Sequence, residues 1–157
     1  MRKIEKILVP IDFSQDSSSA LGRGLTLASE TGPELIALHV IEPSRLRDYF
    51  SSYLEAREAS PLTNNNDPII SMDVLMQDKT RALANFIEKT APDNIGVKIT
   101  KRVTLGSTFK EIAAMTQTEN IDLVVLKLRK RFPFTDFATL RILRFMRAFS
   151  CPVLLDT

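Results

Sequence analysis

The sequence has one cysteine, one histidine, no tryptophan and five glycines, none of them after Gly106. The lone Cys151 excludes an internal disulfide and points to a reducing compartment. One histidine and one cysteine fall short of the three or four such ligands that common zinc sites use, so no metal is expected. Any Ser-His-Asp or Cys-His mechanism would have to run through His39. No apolar run reaches the roughly 18 residues of a membrane span. The stretch Ile7 to Phe13 after the charged start is short, contains Asp12 and lacks a small-residue cleavage site. It reads as a strand and not a signal peptide, and a soluble cytoplasmic protein is expected.

What is present is an ordinary globular composition. Hydrophobic residues make up 44% and charged residues 25% of 157 residues, which suits a single domain over residues 1–157. The charge is uneven. Residues 127–157 carry seven Lys or Arg against two Asp, whereas the whole chain is only +2. Lys127, Arg129, Lys130 and Arg131 form the densest group and are candidate anion ligands, with Arg141, Arg144 and Arg147 beyond them. The alternative reading is a solvated helix face. Phe132, Phe134 and Phe137 interleave with these cations and could stack on bases, or pack against the sheet end or across a dimer. The small net charge makes a nucleic-acid partner an unfavoured third reading.

Short apolar runs alternate with helical spacing. Ile7–Phe13 and Leu35–Ile41 read as strands covered on both faces. Between them Ser14 to Ser17 offer N-caps, Leu21, Leu25 and Ala28 follow at helical spacing, and Gly32-Pro33 stops the helix. The spacing of Leu46, Tyr49, Phe50, Tyr53 and Leu54 is helical. The turn-rich residues 60–68 form the expected mobile loop. Leu75, Leu83, Phe86 and Ile87 mark the next helix, and Val97 to Leu105 alternate as a strand near an edge. Thr108 with Glu111 fits a capping box for the helix that follows. Ile121–Leu126 reads as the fourth strand, Leu140 to Phe149 as the last helix, and Cys151–Leu155 as the fifth strand. This order predicts an α/β fold, a doubly wound five-stranded parallel sheet with helices on both faces. Its ligand crevice would lie at the carboxyl ends of the strands, at Asp12-Phe13, Val40 to Glu42, Leu105-Gly106 and Leu126-Lys127.

The words of these strands, in this order, resemble those of universal stress proteins. Ile7-Leu8-Val9-Pro10-Ile11-Asp12-Phe13-Ser14 is similar to their opening strand and Leu38-His39-Val40-Ile41-Glu42 to their second. Gly106 before a helix, Asp122-Leu123-Val124-Val125 and Cys151-Pro152-Val153-Leu154-Leu155 match the other three. The resemblance implies a flavodoxin-like sheet of order 3-2-1-4-5. It also implies a cytoplasmic homodimer paired through Val153, Leu154 and Leu155, and a role in stress resistance with a regulatory partner instead of turnover. For ATP-binding relatives it implies a nucleotide site, which would fall here on Pro10, Asp12, Phe13, Ser14, Val40 and Leu126. Asp12 would lie near ribose and base, and Val40 would meet adenine through its backbone.

Those relatives carry a glycine motif, G-x2-G-x9-G-[ST], after the fourth strand. Its glycines let backbone amides approach the phosphates. Aligned on this chain, the motif falls on Lys127, Lys130, Thr139 and Leu140, and the interval is one residue short. The phosphate cradle is absent as written. Two function classes follow: a non-enzymatic stress or regulatory dimer with weak or no ATP binding, or a nucleotide-binding member with an altered phosphate site and slow hydrolysis.

His39 in its apolar strand is expected to be a packed histidine, and Cys151 an inert small hydrophobe. The serines at 14 and 17–19 are expected to be caps, not nucleophiles. Asp12 has an alternative structural role, capping the amides that follow it.

Overall fold

A computed structural model describes residues 2–58, 72–91, 96–127 and 137–156. The expected mobile loop at 60–68 and the cations Arg129, Lys130 and Arg131 lie outside the described residues. In chain order the elements are β1 (Lys6–Pro10), α1 (Gln15–Thr31), β2 (Glu34–Ile41), α2 (Pro43–Glu58) and α3 (Met72–Thr90). Then follow β3 (Ile99–Leu105), α4 (Thr108–Thr118), β4 (Leu123–Lys127), α5 (Phe137–Met146) and β5 (Val153–Asp156).

The strands form one parallel sheet of order β3-β2-β1-β4-β5. The alternating sequence dictated this, since each parallel return needs a crossover that a helix supplies. The two central strands are fully buried at Ile7, Leu8 and Val9 and at Val124 and Val125. Period-two alternation sends Ile7 and Val9 to one face, with Ala20, Leu21 and Leu25 of α1 and Leu83 and Ile87 of α3. Leu8, Leu38, Val40 and Val124 face the other side, with Ile112 and Met115 of α4 and Phe149. Helices therefore cover both faces. β3 is an edge strand, as its alternation predicted, and exposes Lys101 and Arg102.

Helix α1 lies close on the sheet because residue 24 is glycine. A Cβ there would sit 2.8 Å from Val9 Cγ2 and 3.1 Å from Leu35 Cδ1. The helix ends at Gly32, whose φ of 80° is the left-handed conformation that glycine adopts without strain.

Three local expectations need correction. The first strand ends at Pro10 and not at Phe13. Ile11 still donates to the Leu38 carbonyl at 2.7 Å, and Phe13 takes φ 64°, which turns the chain into α1. The last helix ends at Met146, so Phe149 is buried outside it, and Leu143 is 42% exposed and not a core residue. The capping box is not formed. The N-cap of α4 is Ser107, which makes no side-chain cap bond, and Thr108 is already helical.

A crevice at the carboxyl ends of the strands

β1 and β4 are neighbours in the sheet, but β1 is followed by β2 on one side and β4 by β5 on the other. A doubly wound sheet opens a crevice at such a point. Here it is a cavity of about 200 Å³. Pro10, Asp12, Ser14, Val40, Leu126 and Lys127 all line it. The structure thus brings together Asp12, Val40, Leu126 and Lys127, which the strand ends had marked out, with Pro10 and Ser14, which the resemblance implied. It is walled further by Leu38 and, from α4, by Thr108, Phe109 and Ile112, and by Ser17 and Ala20 of α1. Sequence reasoning did not name these. The helix-facing spacing of Ala20 and Ile112 reads as core, and nothing local marks them as cavity walls.

Asp12 closes the turn into α1. Its Oδ1 accepts from the Ser14 amide at 3.0 Å and from the Ser14 hydroxyl. Ser14 Oγ in turn accepts from the Ser17 amide at 3.2 Å, so it is a true N-cap. Half-burial raises the Asp12 carboxyl, but hydrogen bonds from Ser14 and Ser17 outweigh this and hold it below its ordinary value.

Phe13 goes elsewhere. Its ring packs 4.5 Å from His39 and 5.6 Å from Phe86, with Lys79 Nζ 5.7 Å from its centroid, on the α1–α3 side of the sheet. It does not line the crevice. His39 Nδ1 donates to the Ile11 carbonyl at 2.7 Å, which fixes the tautomer. Burial, reinforced by the Lys79 charge, lowers its pKa, so the ring is neutral and packed. Burial and the Asp122 charge raise the Cys151 thiol, the opposite of an activated nucleophile.

On the far side of the crevice, Lys127 ends β4 beside Asp156 of β5. Its ammonium donates to Ser19 Oγ at 2.7 Å and lies 4.0 Å from Asp156 Oδ2. Ser19 Oγ donates onward to the same carboxylate oxygen at 3.4 Å. Both charged side chains are only about one-fifth exposed. Nothing local announces this grouping, because its members are residues 19, 127 and 156. Thr139 lies on α5 with Leu140, next to the helix start and away from β4 in sequence.

Helix α4 begins beside the same cavity. Glu42, just past β2, accepts from the Thr108 amide at 3.3 Å and from the Thr108 hydroxyl at 2.9 Å. A carboxylate from another element does the work that Glu111 was expected to do. The Glu111 carboxylate instead lies over Gly106, where a Cβ would meet its Oε1 at 2.8 Å.

Among the described residues no group of three His, Cys, Asp or Glu could hold a metal ion. Among them, too, no helix is long and apolar enough to cross a membrane.

The comparisons with known proteins agree with this architecture. The Universal stress protein family model matches residues 3–155, and the chain belongs to that family. A universal stress protein family structure from Burkholderia pseudomallei is similar at TM-score 0.61 and 20% identity, over 99% of this chain and 98% of that one. A universal stress protein in complex with cAMP matches at TM-score 0.61 and 14% identity, over 99% and 98%. The universal stress protein from Archaeoglobus fulgidus in complex with dAMP matches at TM-score 0.56 and 13% identity, over 98% of each. At such identities these likenesses show the flavodoxin-like fold. No curated protein matches the chain.

Proposed function

We propose that this chain is a non-enzymatic stress-response protein of the cytoplasm that works as a homodimer with a regulatory partner and holds ATP weakly or not at all. The observation that carries this reading is the state of Lys127. It stands where the ATP-binding pattern places its first glycine, and its ammonium is tied to Ser19 and Asp156. A long side chain there keeps the backbone amide from a phosphate, and its own charge is engaged. The walls near Asp12 and Val40 suit a base and a sugar, whereas Lys127 at the phosphate end does not suit a triphosphate.

Titration calorimetry with ATP and Mg²⁺ tests the reading. A dissociation constant near or above about 1 mM is expected, equivalent to about −4 kcal/mol. A low-micromolar constant that survives high salt and is lost in Asp12→Ala would favour the second reading, a nucleotide-binding member with an altered phosphate site. The crevice at Asp12 and Val40 and the cAMP complex of a structural neighbour are what support that alternative.

The dimer would pair through β5. This strand ends the sheet order, and Val153, Leu154 and Leu155 are each only half-buried. Such an apolar edge invites pairing, and a two-fold axis covers it on both subunits at once. Sedimentation equilibrium should give twice the chain mass of 17.7 kDa. A monomer at high micromolar concentration ends the idea.

A further inference from the structure

A crevice of this kind gathers what attracts anions: the amino ends of two helices and a lysine at a strand end. Among the described residues, each of the three is met by a carboxylate of the chain itself. Asp12 takes the Ser14 amide and hydroxyl at the start of α1. Glu42 takes the Thr108 amide and hydroxyl at the start of α4. Asp156 faces Lys127 at 4.0 Å, with Ser19 hydrogen-bonded to both. The three arrangements lie on different elements and arise independently.

We propose that the crevice is set for an uncharged ligand, a flat heterocycle carrying hydroxyls such as a nucleoside, and that Asp156 is the specificity residue that withholds Lys127 from a ligand phosphate. The inference rests on the reading of this crevice as the ligand site and adds the class of ligand and the residue that selects it. The chemistry of the walls supports it. Val40, Leu126 and Ile112 give apolar surface for a ring, and the Asp12 carboxylate can accept from a hydroxyl. A phosphate entering near Lys127 would have to compete with Asp156 for the ammonium. Success would leave a sheltered carboxylate without its counter-ion, beside the new charge. A hydroxyl or a ring nitrogen meets no such penalty. Specificity here comes from a built-in repulsive element as much as from attraction.

Calorimetry with two probes, adenosine and adenosine 5′-monophosphate, decides it. The wild-type chain should bind adenosine at least as tightly as the monophosphate. Asp156→Asn keeps the shape and removes the charge, so it should tighten the monophosphate about fivefold, the upper range for a partly exposed charge pair, and leave adenosine unchanged. Ser19→Ala should act in the same direction with a smaller gain. Adding Lys127→Met to Asp156→Asn should abolish the gain. A second readout is salt: the gain should shrink as ionic strength rises.

A wild-type chain that prefers the monophosphate tenfold or more overturns the proposal. So does an Asp156→Asn variant with an unchanged melting temperature and unchanged affinity for the monophosphate. Adenosine binding to none of the variants overturns it as well. All three outcomes can occur while ATP remains near-millimolar, so they leave the reading above standing. Micromolar ATP binding by the wild-type chain removes that reading directly.

Discussion

The two helices that begin beside the crevice, α1 and α4, start in opposite ways. At α1 the capping hydrogen bonds are short-range: Asp12 to Ser14, and Ser14 to Ser17. At α4 the local cap makes no side-chain bond, and Glu42, 66 residues away, supplies the acceptor. A local cap operates as soon as the helix turns, whereas a distant one needs β2 and α4 already docked. Helix α1 can therefore organise its start alone, and the start of α4 reports on the assembled sheet.

The packing of the two helices differs in the same sense, and it should show the largest effects. Ile112 of α4 is fully buried, so Ile112→Ala is expected to cost about 2–5 kcal/mol through lost transfer energy and a cavity. Helix α1 makes its closest approach without a side chain. Gly24→Ala would place a Cβ 2.8 Å from Val9 Cγ2, and the overpacking should cost about 1–3 kcal/mol. Gly22, with nothing within 4 Å of its virtual Cβ, is the control on the same helix. Gly22→Ala should stabilise by about 0.5–1 kcal/mol through helix propensity. Urea denaturation of the three variants measures this. A Gly24→Ala variant as stable as Gly22→Ala would show that α1 rides higher on the sheet than the contact at Val9 implies.

The same contrast explains what could be read in advance. Parallel order was legible because Ile7 to Val9 and Val124 to Val125 are continuous apolar runs, and only a strand covered on both faces needs those. The Asp12-to-Ser17 turn was legible because its partners are two or three residues apart. The crevice position followed from the expected strand ends at Asp12, Val40 and Leu126-Lys127. Pairings across the sheet left no local mark. Ser19 with Lys127 and Asp156 spans three elements, and Glu42 with Thr108 spans two. Thr108 and Glu111 have the spacing of a capping box, yet Glu42, just past β2, takes the Thr108 amide and hydroxyl and the box did not form. Phe13 was misplaced for a related reason: its left-handed backbone turns the ring to the face opposite its neighbours Asp12 and Ser14, and no pattern in the sequence announces a positive φ at phenylalanine.

The caps themselves give the smaller and sharper test. Ser14→Ala removes the acceptor for the Ser17 amide and should cost about 1 kcal/mol, the usual loss at an N-cap. Ser107→Ala occupies the equivalent position on α4, but Ser107 makes no side-chain cap bond there, so its cost should fall within about 0.5 kcal/mol of zero. Glu42→Ala should reproduce at α4 the loss that Ser14→Ala causes at α1, about 1 kcal/mol, because it leaves the Thr108 amide and hydroxyl without their acceptor. In a double-mutant cycle Glu42→Ala should couple to Thr108→Val and be additive with Glu111→Ala. The reverse pattern, with Ser107 and Glu111 coupled and Glu42 idle, would mean that α4 closes its own start after all. The two helices would then differ in packing but not in how they are started.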